Sequence, residues 1–198
     1  MAAEKMKPIL FNTEMVKAIL EGRKTVTRRV VKYDPKILES PFHKANPEVS
    51  DIQIIRKLCK PPFEINDVLY VRETWSEWTG GYIYKAWISP FPQVGSGIVK
   101  WHPSIHMPKE AARIFLRVKN VRVERLQEID IRGIRNEGLS SMAVHAGDME
   151  IALEEWKILW NSTLGRKGTP EYYANSWSGN PYVWVIEFEN INDEFIGG

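Results

Sequence analysis

The segment from Gly22 to Arg29, with the sequence GRKTVTRR, carries the densest group of reactive side chains in the chain. It holds four cations and two hydroxyls in eight residues. A threonine hydroxyl becomes a nucleophile when a base removes its proton, and a neutral lysine can be that base. Burial and neighbouring arginines both favour a neutral lysine. The segment fits an anion-binding or nucleophilic site, and it equally fits a solvated, basic edge strand.

The positions of Lys24 and Thr27 restrict the catalytic interpretation. Gly22 is placed to end a preceding helix in a left-handed conformation, and the alternation that follows predicts a strand. On a regular strand, Lys24 and Thr27 would point to opposite faces. A joint role for the two residues therefore requires Lys24 to lie in the turn before the strand.

A second group of functional side chains lies between Arg72 and Trp75. Arg72 and Thr74 share one face of a predicted strand, and Glu73 and Trp75 share the other. A partly exposed tryptophan beside an arginine suits stacking on a base, with the arginine on a phosphate. A buried tryptophan beside a surface ion pair fits the same pattern, so both interpretations stay open.

The chain contains 8 tryptophans, more than a core of this size needs. Trp156 and Trp160 follow helical spacing, which predicts core packing. Trp75, Trp78, Trp101 and Trp177 stand at strand ends or in loops rich in Gly, Pro and Ser. Binding sites are often lined by such positions, so these four residues are predicted to line a binding mouth.

Metal and cofactor sites are not expected. His102 and His106 are four residues apart, but Pro103 interrupts the helix that would place both imidazoles on one face. The single cysteine, Cys59, excludes an internal disulfide and a cysteine-based zinc site. No glycine-rich phosphate loop or dinucleotide fingerprint is present.

Composition limits the class of protein. With 27 Lys plus Arg and 25 Asp plus Glu, the net charge of +2 excludes a polycation, and the 43% hydrophobic content excludes wholesale disorder. No apolar run approaches membrane-spanning length, and the first residues lack the layout of a secretion signal. We therefore expect a cytoplasmic location without membrane contact.

The periodicity of the sequence predicts an α+β fold in one domain, residues 1–198, whose strands curl into a small barrel. Strands are expected at 7–10, 23–31, 68–75, 82–86, 113–118 and 182–189, with a long helix at about 149–164. The change in apolar parity after Asn120 predicts a turn or bulge. Alternation predicts burial of Val26, Leu69, Val71, Leu116 and Val185.

Residues 33–64 are predicted to form an irregular, proline-rich insertion. The segment contains five prolines and little periodicity, apart from a short alternating piece between Ile52 and Ile55. Because it offers few apolar anchors, we expect it to be more mobile than the strands.

Five segments together resemble the ASCH domain, a member of the PUA-like superfamily of β-barrels. They are Lys7–Phe11, Gly22–Arg29, Asp67–Trp75, Trp101–Pro108 and Asn180–Phe188. The larger members found in phages and prophages are the most similar. The resemblance implies a small PUA-like barrel with peripheral helices and a cleft suited to RNA or a modified nucleoside.

The resemblance also implies a reaction. One branch of the family consists of amidohydrolases that deacetylate N4-acetylcytidine with a lysine, a threonine and a glutamate, without metal. Their Arg-Lys-Thr-x-Thr motif matches Arg23 to Thr27, so it transfers the lysine to Lys24 and the threonine to Thr27. The best match for the glutamate is Glu137. In this scheme Thr27 attacks the acyl carbonyl, Lys24 takes its proton, and Glu137 orients the lysine or protonates the leaving amine.

Three alternatives remain. The chain could be a non-catalytic RNA-binding module, a phage morphogenesis or assembly factor, or a ribonuclease. The candidate nucleic-acid-binding residues are Arg23, Arg28, Arg72, Trp75, Trp101 and Trp177.

Overall fold

The computed structural model describes residues 6–86 and 99–196, and these contain seven strands. The strands are β1 (Lys7–Leu10), β2 (Val26–Val30), β3 (Val68–Arg72), β4 (Trp75–Trp78), β5 (Gly81–Tyr84), β6 (Phe115–Arg125) and β7 (Tyr182–Asn190). The helices are α1 (Thr13–Leu20), α2 (Pro41–Ala45), α3 (Asp51–Leu58), α4 (Ile131–Asn136), α5 (Met142–Ala146), α6 (Met149–Ser162), α7 (Pro170–Asn175) and α8 (Asn192–Ile196). Short 3₁₀ turns cover Pro35–Ile37, Ser104–His106, Lys109–Ala111 and Leu126–Glu128.

Five of the strands form one sheet in the order β1-β3-β6-β7-β2, and β4 and β5 form a separate hairpin. β1 runs parallel to β3, and the other pairs are antiparallel. This confirms the α+β class. The predicted closed barrel is not observed, because among the described residues β1 and β2 each pair on one side only.

The two sheet edges are nevertheless linked by a side chain. The guanidinium of Arg29, on β2, donates a hydrogen bond from Nη2 to the carbonyl of Leu10, on β1, over 3.2 Å. A cleft therefore lies where backbone pairing would otherwise close the sheet.

Alternation along β7 divides the hydrophobic core into two clusters on opposite faces of the sheet. Tyr182, Trp184 and Ile186 pack in one cluster, whereas Val183 and Val185 pack against α4, α5 and α6 in the other. The burial prediction is confirmed for all five strand residues: Val26, Leu69, Val71, Leu116 and Val185.

Two irregularities reorient the strands. A register shift between Val118 and Asn120 confirms the predicted change of parity, but β6 continues through it to Arg125. The predicted strand at 68–75 instead splits in two. β3 ends at Arg72, and Trp75 begins a hairpin strand that also bridges to His102.

The segment 33–64 contains more regular secondary structure than predicted. It contains α2, α3 and a 3₁₀ turn, and Ser50 and Gln53 form a reciprocal capping box at the start of α3. Ile54, Ile55 and Phe63 are buried, with Ile55 and Phe63 in the sheet-packed core. The prediction that residues 33–64 offer few apolar side chains to anchor the segment was therefore wrong, because Ile54 and Ile55 are buried on one face of a helix.

Within the described ranges, the helices are all too short or too polar to cross a lipid bilayer.

Candidate functional site

A cleft of about 980 Å³ lies between the two edge strands of the sheet. One wall consists of β1 and the start of α1, and another consists of β2 together with Lys24, which lies two residues before it. α6 contributes aromatic side chains from the second core cluster. The polar and charged residues that line it include Lys24, Thr27, Arg28, Arg29, Lys32, Lys60 and Glu137.

The connection between α1 and β2 places Lys24 in this cleft. Gly22 adopts a left-handed φ of 72°, and the backbone N–H groups of Arg23 and Lys24 both donate to the carbonyl of Ala18. Lys24 therefore precedes the strand, which is the position that a joint role with Thr27 requires. Gly138 permits the close approach, since a Cβ at this residue would lie 2.8 Å from the Cβ of Ala18.

Lys24 and Glu137 form a buried ion pair, with side chains only 2% and 5% exposed. The Nζ of Lys24 donates to Oε2 of Glu137 over 2.6 Å, to the Glu137 carbonyl over 2.9 Å and to the Val26 carbonyl over 2.8 Å. Burial lowers the pKa of Lys24, and the charge of Glu137 opposes this effect. The pair thus keeps a desolvated lysine beside a carboxylate.

Arg28 completes this buried cluster. Its Nη1 donates to Oε1 of Glu137 over 3.1 Å, and its Nε and Nη2 donate to Oε1 of Glu124 over 2.9 and 2.6 Å. Each oxygen of the Glu137 carboxylate therefore accepts a hydrogen bond from a different cation. The Arg28 guanidinium also lies 6.0 Å from the ring of Trp156.

Thr27 lines the same cleft but has a different hydrogen-bond partner. Its side chain is buried, and Oγ1 accepts a hydrogen bond from Nη1 of Arg29 over 2.8 Å. Among the described residues, no hydrogen bond joins Thr27 to Lys24, and the Thr27 hydroxyl hydrogen has no acceptor. The structure thus joins Lys24 to Glu137 directly, and Thr27 faces the cleft with its donor hydrogen uncommitted.

Arg29 is a residue that the sequence analysis did not single out. It stands two positions after Thr27 on β2, so both side chains point to one face. This two-residue spacing was the feature of the sequence from which a place for Arg29 beside Thr27 could have been predicted. The guanidinium lies 5.4 Å from the ring of Phe11, and Lys24 Nζ lies 5.5 Å from the same ring.

The aromatic part of the cleft comes from residues predicted to be only core. Trp156 and Trp160 are buried, with ring centroids 6.0 Å apart, and both also line the cleft together with Phe11 and Trp184. The Nε1 of Trp156 is buried without a hydrogen-bond partner among the described residues. These two tryptophans of α6 therefore contribute both to the hydrophobic core and to the wall of the cleft.

The predicted tryptophans lie elsewhere. Trp75 is 6% exposed and packs against Tyr82 and His102, with ring centroids 5.6 and 5.1 Å apart, so the expected open stacking face is absent. Trp101 and Trp177 are half-buried and do not line the cleft.

Two of the predicted arginines hold neighbouring backbone. Arg72 donates to the carbonyls of Met107 and Ile105, which fixes the segment beside β3. Arg23 donates to the carbonyl of Gly138 and pairs with Glu21. Of the six candidate nucleic-acid-binding residues, Arg28 alone contributes to the described cleft.

Groups of three potential metal ligands of the His, Cys, Asp and Glu types do not occur in the described part of the chain. The backbone groups of His102 pair with Trp75.

Comparison with known proteins gives no family assignment: no family model and no curated protein matches the chain. Two solved structures are similar. A protein from Enterococcus faecalis V583, described by the family model DUF984, is 11% identical at a TM-score of 0.40, over 92% of this chain and 71% of its own. An ASCH domain from Lactobacillus crispatus JV V101 is 9% identical at a TM-score of 0.37, over 88% of this chain and 70% of its own.

Proposed function

We propose that the cleft binds a modified nucleoside and hydrolyses an amide on its base, with Thr27 as nucleophile, Lys24 as base and Glu137 as the partner of Lys24. The observation that carries the proposal is the buried Lys24–Glu137 pair, which lies in an aromatic cleft beside an uncommitted threonine hydroxyl. Buried, perturbed charges in a cleft are characteristic of functional sites.

The aromatic lining of the cleft supports a ligand with a flat ring. Phe11, Trp156 and Trp160 line the cleft, and each is at most 6% exposed, so they offer a bound base an apolar wall rather than an open stacking face. The Thr27 hydroxyl can donate to a carbonyl oxygen of the ligand. An acylated cytosine, as in N4-acetylcytidine, combines a flat ring with an amide carbonyl.

The reaction requires Lys24 to become neutral. A neutral amine has two hydrogens, so Lys24 then releases one of its three donated hydrogen bonds and gains a lone pair. That lone pair accepts the Thr27 proton as Oγ1 bonds to the acyl carbon. The C–N bond breaks, the amine leaves with a proton from Lys24, and water then hydrolyses the acyl-threonine to acetate.

Arg29 favours this nucleophile electrostatically. Its guanidinium donates to Thr27 Oγ1, and a fixed positive charge at this position stabilises the developing alkoxide.

The test is release of cytidine and acetate from N4-acetylcytidine in the presence of EDTA. Removing the hydroxyl in Thr27→Val or the base in Lys24→Met should lower kcat by at least about 10²-fold. Thr25→Val is the matched control, because Thr25 is exposed on the same segment and lies outside the cleft. Equal hydrolysis by wild type and Thr27→Val would exclude Thr27 as the nucleophile.

A second candidate is binding without catalysis, and one observation favours it. All three hydrogens of a charged Lys24 already have acceptors, which is the arrangement of a structural ammonium. If the cleft binds its ligand without catalysis, titration with N4-acetylcytidine quenches the tryptophan fluorescence, but no cytidine is released. In that case Thr27→Val weakens binding.

A further inference from the structure

Arg29 is a cation in the cleft that forms no ion pair with a carboxylate among residues 6–86 and 99–196. Its Nη1 donates to Thr27 Oγ1 over 2.8 Å and to the Arg28 carbonyl over 3.0 Å, and its Nη2 donates to the Leu10 carbonyl over 3.2 Å. These acceptors are all uncharged. In the described part of the chain, no carboxylate oxygen lies within ion-pair distance of the Arg29 guanidinium.

Arg29 also has N–H groups that donate no hydrogen bond to the described residues. A guanidinium has five N–H groups, and the hydrogen bonds above use three of them. The Nε hydrogen and one Nη2 hydrogen have no acceptor among the described residues. Nε and Nη2 form the side-on fork with which arginine binds phosphate or carboxylate in a bidentate manner.

The charge balance of the cleft points to the same kind of ligand. Within the described part of the chain, five cationic side chains line the cleft with one carboxylate, Glu137. Lys24 and Arg28 are neutralised by Glu137 and Glu124, but Arg29 is not. Burial lowers the pKa of Arg29, as expected for a cation whose countercharge is distant.

Two further lysines extend this positive region. Lys32 is exposed just after β2, and it has no ion-pair partner among the described residues. Lys60 lies 3.9 Å from Glu64, with side chains 84% and 60% exposed, so solvent screens this pair.

We propose that Arg29, assisted by Lys32 and Lys60, binds a phosphate group attached to the nucleoside in the cleft, so that a nucleotide binds more tightly than the free nucleoside. This inference rests on the proposed binding of a base in the cleft. The phosphate can belong to a free nucleoside monophosphate or to the backbone of an RNA strand, because both present anionic oxygens to the same fork.

The experiment measures dissociation constants by tryptophan fluorescence for three probes: cytidine, cytidine 5′-monophosphate and a cytidine trinucleotide. Wild type is compared with Arg29→Gln and Lys32→Gln. Arg56→Gln is the matched control, because Arg56 is exposed on α3 and lies outside the cleft. Thermal melting verifies that each variant is folded, and Lys32→Gln tests the proposal at an exposed site if Arg29→Gln unfolds.

We expect wild type to bind a phosphorylated probe about tenfold more tightly than cytidine, as charge-assisted hydrogen bonds exceed neutral ones. Arg29→Gln should remove most of this preference, Lys32→Gln part of it, and Arg56→Gln none. Added salt should reduce the preference while leaving cytidine affinity nearly constant. A gain with the monophosphate identifies a free nucleotide, and a gain with the trinucleotide alone identifies a strand.

Two outcomes overturn the inference, and they are distinguishable. Equal affinity of wild type for cytidine and both phosphorylated probes overturns the phosphate site but leaves base binding intact. Failure to bind any of the three probes overturns the phosphate site, and failure to bind N4-acetylcytidine as well overturns the proposed function.

Discussion

At the residue scale, the central feature is a carboxylate shared by two buried cations. Glu137 accepts hydrogen bonds from Lys24 through one oxygen and from Arg28 through the other. Forming such a cluster costs desolvation energy, but removing one charge from it costs more, because the remaining charges are then buried without compensation. The cluster is therefore sensitive to substitutions that barely change its volume.

We expect Glu137→Gln to lower the free energy of unfolding by about 3–5 kcal/mol, since it leaves the buried Lys24 ammonium without a charged partner, whereas Arg28 keeps its ion pair with Glu124. Urea denaturation measures the change. Glu64→Gln is the matched control: Glu64 is 60% exposed and faces Lys60, so it should change stability by at most about 1 kcal/mol. Equal effects of the two substitutions would argue against a buried charge cluster.

The pH dependence of stability tests the environment of Lys24. Burial, the largest cause, lowers its pKa from the ordinary value of 10.5. Between the lowered pKa and 10.5, the unfolded chain binds more protons than the folded protein, so the contribution of Lys24 to the free energy of unfolding rises with pH in that window. At pH values below this window Lys24 is charged in the folded protein, and the desolvation of that charge lowers the free energy of unfolding by its full amount.

The unfolding free energy of wild type minus that of Lys24→Met should therefore increase as pH rises toward 10.5. Denaturation series at several pH values measure it. Lys85→Met, at an exposed position, should give a difference that stays flat. A difference that shrinks toward alkaline pH would mean that the Lys24 pKa is raised.

At the element scale, α3 attaches the 33–64 segment to the sheet. Ile55 is fully buried in the first core cluster, and the Tyr182 hydroxyl on β7 donates to Oδ2 of Asp51 over 2.7 Å. The segment also supplies Lys60, Pro62 and Phe63 to the lining of the cleft. The attachment of α3 thus positions one wall of the site.

Ile55→Ala should lower the free energy of unfolding by about 2–5 kcal/mol, because it leaves a cavity in the core. Leu58→Ala on the same helix should change it little, since Leu58 is 58% exposed. Urea denaturation compares the two variants, and amide hydrogen exchange reports whether α3 opens with the sheet. Similar small effects would show that α3 is only loosely attached.

At the scale of the whole molecule, one sheet carries both core clusters. Neighbouring β7 residues enter opposite clusters, so neither cluster can lose its packing without disturbing the strand that they share. The cleft lies at the two unpaired edges of this sheet, where the Arg29–Leu10 hydrogen bond connects them. The lining of the cleft includes residues from both clusters, such as Phe11 and Trp156.

The chain should unfold in a single cooperative transition. Tryptophan fluorescence reports on several parts of the chain, including β4, α6 and β7, and far-UV circular dichroism reports on the whole backbone, so the two denaturation curves should coincide. Separate midpoints would divide the chain into independent units and contradict the prediction of one domain.

Local patterns determined much of the fold. Alternation in β7, the parity change at Asn120 and the helical stripe of α6 each act within a few residues, and the structure contains all three. Gly22 likewise ends α1 and leaves Lys24 in the turn before β2. Backbone sterics and side-chain periodicity are sufficient to specify such features.

Tertiary structure decided the contacts that make the site. Lys24 and Glu137 are 113 positions apart in the chain, so no local sequence pattern predicts their contact. Tertiary packing also buried Trp75, put Trp156 into the wall of the cleft and left the sheet open between β1 and β2. These outcomes depend on which surfaces meet when the chain closes, because burial and ion pairing are properties of the assembled core rather than of a segment.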